Sequence, residues 1–180
     1  TEPTQASNVT FTNIAAGSMR ITWTSGNGTG AVVIVKEAVA VDADPVDGTV
    51  YTADPNFETG SQIGTSNFVV YAADSNPVDV TGLDSGTTYF VAVYEYAGTG
   101  TLINYQQILP ATNNQATVVG STPPTVTTPT VAAIATTNAT LGATVTSDGG
   151  TNLIARGTVW NTSGAPTITD NPLAHAAAVT

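Results

Sequence analysis

Cysteine is absent from the 180 residues, which excludes disulfides, thiolate metal sites and a cysteine nucleophile. Basic residues are almost as scarce: Arg20, Lys36 and Arg156 stand against thirteen acidic residues, for a net charge of −10. A surface of that sign repels phosphate, so neither nucleic acid nor an anionic membrane is expected as a partner. No apolar run approaches 18 residues, so no membrane insertion by a helix is expected. The single histidine, His175, lies in the Ala-rich tail LAHAAAVT. One base with no fixed partner does not make a catalytic triad. The helix formers Lys, Arg and Glu are few, while Thr and Val, which suit half-buried pleated surfaces, are abundant. An all-β chain is therefore expected, and its 41% hydrophobic content is enough to bury a core.

What is present reads as a succession of strands. In SMRITWTSG, Met19, Ile21 and Trp23 share one face and Arg20, Thr22 and Thr24 the other, which makes Trp23 a core anchor. The turn Gly26 to Gly30 leads into AVVIVKEA, apolar on both faces. The segment from Val41 to Asn76 is longer than a seven-strand module needs at this place and suggests an additional hairpin or irregular strands. VTGLDSGTTYFVAVYEY, from Val80 to Tyr96, then supplies the organising feature: Leu83, a Gly/Asp/Ser turn, and Tyr89 six residues on. That spacing is the corner where a strand crosses between the two sheets of a sandwich, the ring packing inside and the hydroxyl tying down the preceding loop. NYQQILPATNNQATV closes the module, with Pro110 at an edge or bulge.

Residues 1–5 read as a leader, 6–120 as one complete sandwich, and 121–130, STPPTVTTPT, as an extended Pro/Thr linker. The remainder, 131–180, repeats the opening rhythm but has no second Leu-to-Tyr corner, so it reads as the N-terminal part of a second immunoglobulin-like domain. Half a sandwich leaves an apolar face and a sheet edge uncovered. It would be completed by continuation of the parent chain or by strands of another molecule. The chain opens at Thr1 without a methionine or a signal-like stretch, as a mature product or an excised segment would.

Through ITW, PVDGTVYTA, QIGTSNFVVY and VTGLDSGTTYFVAVYEY, residues 6 to about 120 resemble the fibronectin type III-like repeats of large secreted bacterial surface proteins. Through PTVTTPTVAAIATTNATLGATVTSDGG and ARGTVW, residues 125–180 resemble the front half of an associated immunoglobulin-like repeat. The resemblance implies an all-β, immunoglobulin-like or fibronectin type III-like β-sandwich with a second partial sandwich. It also implies an extracellular or cell-surface location. Such repeats serve as spacers, adhesin stalks, filament subunits or accessory modules of secreted hydrolases, so fold alone does not choose among these roles. The expected role is non-catalytic: a structural or adhesive module touching other copies of itself or adjacent domains of its parent. The alternative is a carbohydrate-binding or spacer module of a secreted polysaccharide-degrading enzyme.

The candidate residues follow from this pattern. Asp42, Asp44 and Asp47 place three carboxylates in one loop, with no cation between Glu37 and Asp84 to neutralise them. Calcium favours clustered oxygens and is the one metal they suggest, although the spacing is not that of an EF-hand and the alternative is solvated loop acids; no other cofactor is expected. Glu37 and Glu95, each late on its strand, read ordinarily as rim residues facing water, the alternative being a carboxylate pair of the glycosidase type. On YFVAVYEY, Tyr89, Val91 and Val93 face the core, which leaves Phe90, Ala92, Tyr94 and Tyr96 opposite. That is too much apolar surface to leave bare. Phe90, Tyr94, Tyr96 and Tyr105 are thus the candidates for an interface or a sugar-stacking platform, unless the segment around Phe68 to Tyr71 folds over them. Sequons at Asn8, Asn27, Asn138 and Asn161 are expected by chance in so Asn/Thr-rich a chain.

Overall fold

The computed structural model describes residues 2–170 and the main chain of residues 173–175. The chain divides into two compact units, Thr1–Gly120 and Ser121–Thr180. In the first, nine strands follow in order: β1 (Ser7–Thr12), β2 (Ser18–Thr24), β3 (Gly30–Glu37), β4 (Gln62–Ile63), β5 (Asn67–Ala73), β6 (Val78–Thr81), β7 (Thr88–Ala97), β8 (Asn104–Tyr105) and β9 (Ala111–Ala116). The only helical element among the described residues is a single 3-10 turn, Gly100–Leu102. One sheet has the order β1-β2-β6, and the other β4-β5-β3-β7, with β8 and β9 sharing the far edge of β7. All the strand pairs are antiparallel. This is an immunoglobulin-like, fibronectin type III-like β-sandwich.

Alternation accounts for most of it. Met19, Ile21 and Trp23 of β2, Val33 and Val35 of β3, and Tyr89, Val91 and Val93 of β7 meet in one core between the sheets. Burying each such side chain contributes about 1.5–3 kcal/mol. Trp23 and Tyr89 line that same core, each against a different ring: Trp23 stacks edge-on at 5.4 Å against Tyr71, and Tyr89 at 5.1 Å against Phe57. The Tyr89 hydroxyl accepts the Asp84 N–H at 2.8 Å, so the corner holds the turn after Leu83 as its spacing implies. In β5 the pairing to β3 shifts register between Val33 and Ile34, and the extra residue, Val70, turns inward. That bulge is why Val70 and its neighbour Tyr71 both face the inner core, while Val69 is buried on the opposite face of the sheet. Pro110 falls in the break between β8 and β9, where it owes no ladder hydrogen bond.

Two segments read from sequence as tethers are built into the units. In the leader, Pro3 is buried, the Thr4 N–H donates to Asn27 Oδ1, and the Gln5 side chain donates 2.8 Å to the Gln106 carbonyl. Within 121–130, Thr122 and Thr127 donate main-chain hydrogen bonds to Gly149 and Thr144 at 2.8 Å. Three more residues of this linker lie in strands: β10 (Thr125–Val126) pairs with β13 (Val145–Ser147), and β11 (Thr130–Ala132), which begins at the linker's last residue, pairs with β12 (Thr140–Gly142). With β14 (Arg156–Thr158) paired to β15 (Leu173–His175), the described residues of the second unit form three separate two-stranded ladders. Val126, Val131, Ile134 and Ile154 are exposed on it. His175 lies on β15, where the main chain alone is described, and the end of the expected second domain, 176–180, lies outside the described residues.

Candidate functional site

The outer face of the β3-β5-β7 sheet gathers most of the candidate residues, and it carries a second core. Val32, Ile34, Val69, Ala92 and Tyr94 project from the sheet, with Ile63, Ile103 and Tyr105 packed on them. Val41, Ala43, Tyr51 and Ala53 close over the top. The cover is therefore the segment 41–53 together with the loop before β8. The stretch from Phe68 to Tyr71 is strand β5 of the sheet itself, and Phe68 and Tyr71 pack on the opposite side, against the sandwich core.

Polar groups fasten the cover at points along its length. Lys36, nearly buried at the end of β3, contacts Asp42 Oδ1 at 2.5 Å. Asn67, fully buried on β5, donates to the same oxygen at 2.9 Å and also to the Ile63 carbonyl. Asp44 accepts the Tyr94 hydroxyl at 2.8 Å, and Asp47 accepts the Tyr105 N–H at 2.7 Å. The Tyr105 hydroxyl donates to the Thr49 carbonyl at 2.9 Å, and the Tyr51 hydroxyl accepts the Val46 N–H at 3.0 Å. Burial pushes the Tyr94 and Tyr105 hydroxyls well above the usual phenol range, aided at Tyr94 by its bond to Asp44. Both are donors at any physiological pH.

Three expectations are corrected by this arrangement. Asp42, Asp44 and Asp47 are spread along the cover, each with its own protein partner. Among the described residues no group of three acidic or histidine side chains is gathered as a metal would require. The neutralising cation is Lys36, one residue before the cation-free interval. Tyr94 and Tyr105 are each 2% exposed, so they offer no ring to a sugar or a partner. Tyr96 is half-buried, its ring edge-on to Tyr105 at 5.7 Å. Phe90 remains half-exposed, beside a groove of about 350 Å³ lined by Val41, Thr112, Asn113 and Asn114. Glu37 and Glu95 are separated by the antiparallel register, since Glu37 pairs with Tyr89 and Glu95 with Ala31, at opposite ends of the ladder. No glycosidase-type pair forms. Lys36, Asn67, Gln5 and Gln106 are the structural polar residues that periodicity does not single out, because their partners lie in other loops. The one signal was a lysine ending a strand apolar on both faces.

The Asp42 tie responds to acid. The hydrogen bonds from Lys36 and Asn67 hold its carboxyl below the usual carboxylate range. A group depressed in the folded state stabilises above its unfolded value, about 3.9, and that contribution is lost as pH falls through the lower folded value. The melting temperature, followed from pH 7 to pH 2, is therefore expected to drop below about pH 4. Asp42→Asn, which lacks that titration, should drop less over the same range; parallel curves for the two proteins would refute the assignment.

No family model matches the chain, and no curated protein does. Among solved structures it is similar to a computationally redesigned β-sandwich protein, with 17% identity and a TM-score of 0.44, over 68% of this chain and 96% of that one. It is also similar to the FN5 domain of Drosophila Lar, with 16% identity and a TM-score of 0.40, over 66% of this chain and 99% of that one. The architecture stands on the strand order and pairing described above.

Proposed function

We propose that the chain is a non-catalytic, extracellular structural or adhesive module of a bacterial surface protein, acting as a self-assembling fibre subunit. The observation that carries this reading is the tip of the cover. There Val46, Val50, Leu102, Ile108 and Leu109 are all more than half exposed. They sit on three loops bound to one another: the Gly48 N–H donates to the Ile103 carbonyl at 2.8 Å, and the Gln107 side chain to the Pro45 carbonyl at 2.7 Å. Leu109 moreover holds a left-handed backbone at φ 54°, a conformation that costs a leucine energy and that its neighbours must impose. Aliphatic side chains fixed outward in this way suit contact with another surface. The acidic residues and buried tyrosines nearby are occupied in holding the cover, which leaves shape and contact as what the module offers.

Sedimentation velocity of the full chain over a concentration series tests this. The wild type is expected to self-associate, and Leu102→Asp combined with Leu109→Asp to weaken association at least tenfold, about 1.4 kcal/mol or more. Aspartate tolerates the left-handed backbone at position 109. A wild type monomeric throughout would refute self-assembly, and unchanged association of the double variant would remove the tip from it.

The carbohydrate-binding or spacer reading keeps one supporting observation, the uncharged groove beside Phe90. The tyrosines that would have formed a wider stacking platform are covered.

A further inference from the structure

We propose that a small recess at the Tyr96 end of the sandwich is a hydration site, in which one ordered water accepts the Trp23 indole N–H and donates to the Glu95 carboxylate. The two groups are complementary, a buried donor without a partner and a carboxylate with an oxygen to spare. Trp23 is 6% exposed, and its Nε1 has no acceptor among the described residues. Glu95 is 2% exposed; its Oε1 takes the Gly26 N–H at 2.9 Å, and its Oε2 takes no protein donor. Both side chains line the same recess of about 50 Å³, walled by Gly28, Gly30 and Ala73. A buried polar group left unpaired costs about 1–3 kcal/mol, so the Trp23 donor calls for an acceptor, and a recess it shares with a carboxylate is where one would be held.

Size and charge decide what that is. A water needs roughly 10–15 Å³ of such volume and two to four polar partners, and this recess supplies both. A cation would meet the positive end of the indole N–H, and an anion would meet Glu95 and the neighbouring Asp74, which also lines the recess. A neutral group that both donates and accepts fits the pair. The walls are shaped for it: a Cβ at Gly28 would lie 2.7 Å from Glu95 Oε2 and 2.5 Å from the Tyr96 carbonyl, closing the space.

The site sits under the clasp that holds the leader. The Glu95 N–H donates to Gln5 Oε1 at 2.9 Å, and the Gln106 N–H donates to the Glu95 carbonyl at 2.8 Å. The water thus completes the residue to which residues 3–6 and the Gly26–Gly28 turn are fastened. It does so whether or not the module self-associates.

The chain has two tryptophans, so two indole N–H resonances are expected, and Trp160→Phe, at a half-exposed position, assigns them. In the ¹⁵N-labelled full chain, Trp23 is expected to show a direct, negative-sign Overhauser cross-peak to water, the signature of a molecule resident longer than tumbling. A high-resolution crystal structure of the unmutated chain should place that water within about 3.2 Å of both Trp23 Nε1 and Glu95 Oε2. A recess dry in both measurements, a water touching one of the two groups alone, or an indole N–H that reaches a side chain of the surrounding turns would overturn the proposal.

Discussion

Tyr94→Ala is expected to destabilise the first unit by about 3–5 kcal/mol, the range for emptying a large buried aromatic position. The ring is 2% exposed and stands in the middle of the outer core, between the sheet residues Val32, Ile34 and Ala92 and the covering segment. Its removal leaves a cavity, takes the partner from Asp44, and weakens the cover where it crosses β7. Against a total stability of about 5–15 kcal/mol for an ordinary domain, such a loss is large, on the order of 10–20 °C in melting temperature. Tyr94→Phe keeps the ring and gives up the hydroxyl bond alone, for a cost near 1 kcal/mol. Limited proteolysis provides the second readout: segment 41–53 should be cut many times faster in Tyr94→Ala and little faster in Tyr94→Phe. If the alanine variant melts with the wild type, the outer core contributes no stability and the cover is an ornament on the sheet. A loss of sugar binding in Tyr94→Ala would for the same reason say nothing about a binding site, and Phe90→Ala is the informative variant there.

What sequence patterns reveal here is whatever depends on neighbours a few residues apart. The alternation through Met19, Ile21 and Trp23, the apolar run of β3 and the six-residue step from Leu83 to Tyr89 are local rules, and each has its expected place in the structure. Those patterns also show that the face carrying Tyr94 needs a cover. They do not identify the cover, because its ties join residues 50 to 62 positions apart: Tyr94 to Asp44, Tyr105 to Asp47, Gln107 to Pro45. Three aspartates in six residues look like a cation site when only the sequence neighbourhood counts. Folded, each meets a different partner, and the cation that answers the first of them comes from the end of β3. The Glu37–Glu95 pairing fails for a simpler reason. Residues that are both late on antiparallel neighbours lie at opposite ends of the ladder, here beside Tyr89 and Ala31.

Phe57→Ala is the other substitution expected to cost about 3–5 kcal/mol, and it tests a part of the fold that no strand pattern suggests. Phe57 belongs to the long irregular segment between β3 and β4, whose Val41, Ala43, Tyr51 and Ala53 pack on the outer face. Its ring nevertheless enters the inner core, 7% exposed, edge-on to Phe68 at 5.3 Å and to Tyr89 at 5.1 Å. To arrive there the segment passes the open edge of β6 and pairs with it on the way. The Phe57 N–H donates to the Thr81 carbonyl at 2.9 Å, and the Thr81 N–H donates to the Pro55 carbonyl at 2.8 Å. One side chain therefore anchors a plug that fills the core and blocks a sheet edge otherwise free to pair with another chain. Removing the ring should lower the urea midpoint and speed hydrogen exchange at the Phe57 and Thr81 amides. It should also add an association route that the double aspartate variant at Leu102 and Leu109 does not suppress. Phe57→Leu, which fills much of the space, should keep the edge closed at a smaller cost in stability. If Phe57→Ala loses stability while the Thr81 amide stays protected, then the main chain closes the edge without the ring, and strand exchange has no opening at β6.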